Sequence, residues 1–137
     1  MNSTLSRIAV RLGAGLLVFA TVSPAGAAPF TWNGVTADWS VGTNWTPGGP
    51  PGAADTATVN AGNAQLNTGT TILGLTQGGG TVSGTGFLTI TGPSTWTAGT
   101  HNGTGTTQFG STLGITGVTT KSITGGRTLN LNGATSW

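Results

Sequence analysis

The chain matches itself at a fixed offset. Leu88-Thr89-Ile90-Thr91-Gly92-Pro93-Ser94-Thr95-Trp96 aligns with Leu129-Asn130-Leu131-Asn132-Gly133-Ala134-Thr135-Ser136-Trp137, so Leu88/Leu129, Gly92/Gly133 and Trp96/Trp137 share one spacing. Leu113 to Thr120 falls between them as a partial copy. Units of the form Leu-x-aliphatic start at Leu73, Leu88, Leu113 and Leu129, and the start two units on lies at nearly the same distance each time. Each unit places two aliphatics on one face of a short strand and small or polar residues on the other, and each is bounded by Gly, Asn or Ser. Periods of this kind mark solenoids, propellers or arrays. A single unit cannot bury its aliphatics, whereas stacked units can, in one continuous core. The pattern therefore predicts an all-β parallel β-solenoid with rungs of about 20 residues. An antiparallel β-sandwich also accommodates short strands, but it does not call for a self-matching offset.

Composition agrees with strands and opposes helices. The chain has no Glu, and Gly interrupts every few residues, at a cost of about 1 kcal/mol each in a helix interior. Thr, Val, Ile, Phe and Trp favour a pleated, half-buried surface. The 26 Gly and 6 Pro bring the composition near that of disordered chains, but disorder usually accompanies high net charge, and this chain is almost uncharged. There is no Cys, so packing and backbone hydrogen bonds must hold the fold without disulfides.

Residues 1–27 read as a signal peptide. Arg7 and Arg11 supply a positive start, Leu12 to Val22 a short apolar run, and Ala25-Gly26-Ala27 an A-x-A cleavage site. The run falls well short of the roughly 20 residues that span a bilayer. Cutting after Ala27 leaves a mature chain with Lys121, Arg127, Asp38 and Asp55 as its only charged side chains, hence no formal net charge. Two basic residues cannot neutralise a run of phosphates, so a nucleic-acid partner is not expected. No later segment is apolar enough to cross a membrane, and the mature product is expected outside the cytoplasm.

Residues 28–62 form an entry segment, and residues 63–137 carry the repeats. Within the entry segment, Ala37-Asp38-Trp39-Ser40-Val41-Gly42-Thr43-Asn44-Trp45-Thr46 is followed by a Gly/Pro turn and then by Pro51-Gly52-Ala53-Ala54-Asp55-Thr56-Ala57-Thr58-Val59. This resembles the N-terminal motif W-S-x-x-x-N-W … P-G-x-x-D-x-A-x-V of bacterial β-strand-repeat exoproteins, including autotransporter-like and adhesin-like passenger regions. The segment around Thr95 to Thr106 is similar to repeats of the same group. The resemblance implies a parallel β-solenoid with a Trp-rich N-terminal cap and an extracellular or outer-membrane-associated role at the cell surface. It implies no activity. Such proteins run on through more rungs to a barrel or sorting tail, so the repeat series is expected to continue beyond Trp137.

Few residues are equipped for chemistry. Asp38 and Asp55 are the only carboxylates after residue 27, and both follow the pattern of turn and cap residues that accept backbone N–H bonds. Trp39, Asn44, Trp45 and Pro51 complete the structural motif, with Trp32, Trp39 and Trp45 expected to plug the first rung. His101 is the sole His and is expected in a solvated turn, Gly99 to Gly103. No G-x-S-x-G elbow, phosphate loop or calcium nonapeptide is present. No catalytic residue, metal ligand or cofactor is expected. Trp96 and Trp137, at one repeat position, are candidates for a sugar-stacking pair if exposed, or for an internal stack. The expected role is a structural or adhesive module that meets carbohydrate, a host surface or matrix, or a second copy through its terminal rung. The alternative is the non-catalytic N-terminal part of a carbohydrate-active β-helix enzyme, or a carbohydrate-binding module.

Overall fold

A computed structural model describes residues 26–137. The expected signal peptide, apart from Gly26 and Ala27, lies outside the described residues. The chain winds through short strands in successive turns, the first of them the longest. The first turn holds β1 (Pro29–Trp32) and β2 (Thr36–Asp38), then a 3-10 turn (Gly42–Asn44) and β3 (Trp45–Thr46). The second holds β4 (Thr56–Val59), β5 (Asn63–Gln65) and β6 (Thr70–Ile72), and the third β7 (Gly74–Gln77), β8 (Thr81–Ser83) and β9 (Phe87–Ile90). The fourth holds β10 (Ser94–Trp96), β11 (Gly99–His101) and β12 (Thr106–Phe109). The fifth holds β13 (Leu113–Ile115), β14 (Lys121–Ile123) and β15 (Thr128–Leu131), and β16 (Thr135–Ser136) begins another.

Each full turn contributes one strand to each of three sheets. Their strand orders are β16-β13-β10-β7-β4-β1-β3, β14-β11-β8-β5-β2 and β15-β12-β9-β6. Successive strands pair in parallel, as in Thr58↔Thr76, Ala64↔Val82 and Ile72↔Ile90, and among the described residues the one antiparallel pair is β1 with β3. This is a three-sided parallel β-solenoid, and the sandwich alternative is excluded. Pro29 pairs with Thr56, Thr56 with Gly74, Thr76 with Thr95 and Thr100 with Ser122, so the first rung is the longest and the later ones lengthen slightly along the chain. The self-matching offset spans two rungs: Leu88 pairs with Thr107, which pairs with Leu129.

Inward positions form columns along the axis. Ile72, Ile90, Phe109 and Leu131 make one column; Ala64, Val82, His101 and Ile123 make another. Aliphatic over aliphatic holds directly for Ile72 and Ile90. It also holds for the unlike pairs Ala57 with Leu75 and Ala64 with Val82, while in places a polar residue intervenes, such as Ser94 between Leu75 and Leu113. Each fully buried Leu or Ile contributes about 1.5–3 kcal/mol of transfer free energy. Outward positions form hydroxyl ladders instead: Thr31, Thr58, Thr76 and Thr95 follow one another on the seven-stranded sheet.

The corners are stacked as tightly as the strands. Asn63 N–H donates to Val35 O at 2.8 Å, Thr81 N–H to Gly62 O at 2.8 Å and Thr100 N–H to Gly80 O at 2.9 Å. Gly99 shows what that closeness demands. Its φ is +103°, and a Cβ there would sit 2.6 Å from the carbonyl oxygens of both Gly79 and Gly80. Among the described residues no helix is long and apolar enough to cross a membrane.

Gly99→Ala is expected to destabilise the fold by roughly 2–4 kcal/mol, combining left-handed strain with a backbone clash. Urea denaturation measures this, and an unchanged midpoint would show that the corner is free to relax.

Candidate functional site

Of the residues singled out from the sequence, those of the entry motif gather at the N-terminal end, where Trp32 joins them in a lid. Trp32, Trp39 and Trp45 are all buried. Trp45 meets Trp32 edge-on at 5.0 Å and Trp39 at 4.6 Å between ring centroids, a geometry favoured by the ring quadrupoles. Two of the three indoles are anchored: Trp45 Nε1 donates to Trp39 O at 2.8 Å and Trp32 Nε1 to Val35 O at 3.0 Å. Asn44 ties the loop by donating its side-chain amide to Asp38 O at 2.9 Å, while Asn33 N–H donates to Asn44 O at 2.9 Å. Strand β3 lies antiparallel on the outer edge of β1 and so pairs an edge that would otherwise stand open. Pro51 is buried in the turn that leads to the second rung.

Both carboxylates serve turns. Asp38 Oδ1 accepts from Ser40 N at 2.8 Å and from Ser40 Oγ at 2.6 Å, and Oδ2 accepts from Asn67 Nδ2 at 2.9 Å. The Ser40 hydroxyl, then the Ser40 N–H, then Asn67 hold its pKa below the usual carboxylate range. Asp55 Oδ2 accepts from Gly52 N at 2.9 Å and Oδ1 from Ala28 N at 3.3 Å. Asp38 ends β2, and Asp55 precedes β4 on a different sheet. Among the described residues no three His, Asp or Glu side chains come together as a metal site would require.

The structure reveals a second arrangement that sequence reasoning missed. His101 does not lie in a solvated turn: it is fully buried, in the inward column between Val82 and Ile123. Its ring sits edge-on to Trp96 at 5.0 Å and to Phe109 at 6.3 Å. Thr107, also buried, lies with its hydroxyl 3.3 Å from His101 Nδ1 and accepts from Arg127 Nε at 3.0 Å. While accepting from Arg127, the hydroxyl keeps a hydrogen and a second lone pair for the contact with His101 Nδ1. Arg127 Nη1 donates to Gly84 O and Asn102 O, each at 3.3 Å, so one side chain from the fifth rung reaches groups of the fourth and third. Arg127 is only 4 % exposed, and no carboxylate accompanies it. Gln77 is buried beneath Trp96 and donates to Thr100 O at 3.3 Å. Rung spacing carried a signal for this layer: one rung on from the inward Val82, Leu88 and Ile90, at a single shared separation, stand His101, Thr107 and Phe109.

The Trp96/Trp137 pair does not form. Trp96 is 4 % exposed and faces the core, so no sugar can stack on it. It pairs with Ile115 of the next rung, and Trp137, 87 % exposed, continues the column one rung further on. The inward residues Ile123 and Leu131 are also exposed, although His101 and Phe109 beneath them are buried.

Fold and site together define a three-sided parallel β-solenoid, closed by a tryptophan lid at one end and crossed by a buried polar layer in its distal half. No protein-family model, curated protein or solved structure matches the chain.

Burial, and secondarily the Arg127 charge, push the His101 pKa down to about 3. An unfolded His titrates near 6.5, so as pH falls the unfolded chain binds its proton first. Stability is therefore lost from about pH 6.5 downward, and the loss is complete below about pH 3. Between pH 6.5 and 4.5 this amounts to roughly 2–3 kcal/mol, before carboxylate titration adds to it. The unfolding free energy of the native protein is expected to slope across this window, and that of His101→Leu to be flat. Equal slopes would assign the effect elsewhere.

Proposed function

We propose that this protein is an exported, non-catalytic structural or adhesive module at a bacterial cell surface. The observation that carries the reading is the outer face. Thr31, Thr58, Thr76 and Thr95 stand in one column on the seven-stranded sheet, at the ~4.8 Å repeat of parallel strands. A second ladder, Thr81, Thr100 and Ser122, runs along the five-stranded sheet. These faces present hydroxyl and methyl groups at regular spacing on a rigid support, which suits a carbohydrate, matrix or host surface with its own repeat. The signal-peptide pattern of residues 1–27 and the entry motif from Asp38 to Val59 support export and a surface location. The carbohydrate-module alternative keeps one exposed indole, Trp137, because Trp96 is occupied by the core.

Thr76→Lys places a charge at the centre of the larger face without touching the core. The purified exported chain is expected to be retained on at least one of cellulose, chitin and collagen-coated surfaces. Thr76→Lys should lower that retention about tenfold or more, since a desolvated, unpaired ammonium costs more than about 1.4 kcal/mol, while leaving the urea midpoint unchanged. Retention on none of the three would reject the adhesive reading.

A further inference from the structure

The chain just after the expected cleavage site is already fastened. Ala28 N–H donates to Asp55 Oδ1 at 3.3 Å, and Ala28 O accepts from Thr56 N at 3.0 Å. From there Pro29 pairs with Thr56, and β1 runs parallel to β4. Asp55 is held on its other sides too: its Oδ2 accepts from Gly52 N at 2.9 Å, and its carbonyl accepts from Leu73 N at 2.8 Å. The residue thus stands at a corner that touches three successive rungs.

Among the described residues no side-chain cation serves this carboxylate. Lys121 Nζ donates to the carbonyls of Gly117 and Thr119, at 3.1 and 3.0 Å. Arg127 is committed to Thr107, Gly84 and Asn102. No other Lys or Arg stands among the described residues. On the other side of Ala28, Gly26 and Ala27 are exposed, and a Cβ added to Gly26 would meet nothing within 4 Å. The bond before Ala28 is open to solvent while the atom it would release is in place against Asp55.

We propose that removal of the signal peptide between Ala27 and Ala28 converts this contact from an amide hydrogen bond into an ion pair, so that export processing itself latches the first rung. The inference rests on the export reading. The chemistry is peptide hydrolysis by a signal peptidase. Water adds across the Ala27–Ala28 bond, Ala27 leaves as a carboxylate, and Ala28 keeps an α-amine that takes up a proton. The new positive charge appears on the nitrogen already 3.3 Å from Asp55 Oδ1. The carboxylate already accepts from a neutral amide; the ammonium adds a direct attraction between opposite charges. The position of the cut matters. A cut after Ala28 would remove the carbonyl that Thr56 N–H uses, and a cut before Ala27 would carry the ammonium outward, away from the carboxylate.

Intact mass of the exported protein gives its first residue. A start at Ala28 is expected; a start at another residue would overturn the latch while leaving export standing, and an uncleaved chain would identify the export reading as the fault. Stability then tests the pair itself. Four proteins beginning at Ala28 are compared: free and N-acetylated termini, each with Asp55 and with Asp55→Asn. At low salt, acetylation should raise the unfolding constant about threefold to fivefold when Asp55 is present, and leave it unchanged in Asp55→Asn. The effect should fade in molar NaCl, where the screening length is about 3 Å. Equal effects in both backgrounds would overturn the latch while leaving export standing. If Asp55→Asn does not fold, the salt series on the Asp55 chain decides, and an acetylation effect indifferent to salt overturns the latch.

Discussion

Every part of this molecule depends on the parallel backbone ladder between one rung and the next. A rung alone has three strands of three or four residues, too short to persist and too small to enclose a core. Stacked at the strand repeat, its N–H and C=O groups are paired above and below, at the corners as well as in the strands. The stack also makes the core one-dimensional. Each inward residue is covered by its counterpart on the neighbouring rung, so a column such as Ile72, Ile90 and Phe109 is dry because it is continuous.

A one-dimensional core needs a cover where its first rung begins. There the segment from Trp39 to Thr46 turns back onto the first strand in place of adding a strand to the four-stranded sheet. It brings two indoles onto Trp32 and lays β3 against the edge of β1. Further along, the core holds His101, Thr107 and Arg127, where a purely apolar layer would serve stability as well. A buried guanidinium with no carboxylate depends on the hydroxyl and the two carbonyls that surround it, so its presence ties the geometry of three rungs together.

Much of the fold was legible in the sequence. The alternation in Leu88-Thr89-Ile90 and Leu129-Asn130-Leu131 placed strands and faces correctly, because a half-buried strand imposes a period of two. The roles of Asp38 and Asp55 followed from short acidic side chains next to turns, with no second group to make chemistry from. His101 was misplaced because Thr-His-Asn between glycines has the local composition of a turn. Its burial is decided by Val82, adjacent in space but a whole rung earlier in the chain. Trp96 and Trp137 were paired on a match that covers two rungs, and Ile115 of the intervening rung separates them.

Strand type, the approximate repeat, the scarcity of charge and the glycine-bearing corners can all be read from residue order, because local sterics and periodicity set each of them. Which residues share a column, and with that which polar side chains lie in the core, emerges only when the rungs are stacked. Neighbours across rungs are set by hydrogen-bond register between segments a full turn apart, and loops of unequal length shift that register in ways that no local pattern encodes. The meeting of Ala28 with Asp55 belongs to the same category: the intervening chain, folded into a full rung, returns the carboxylate to the nitrogen.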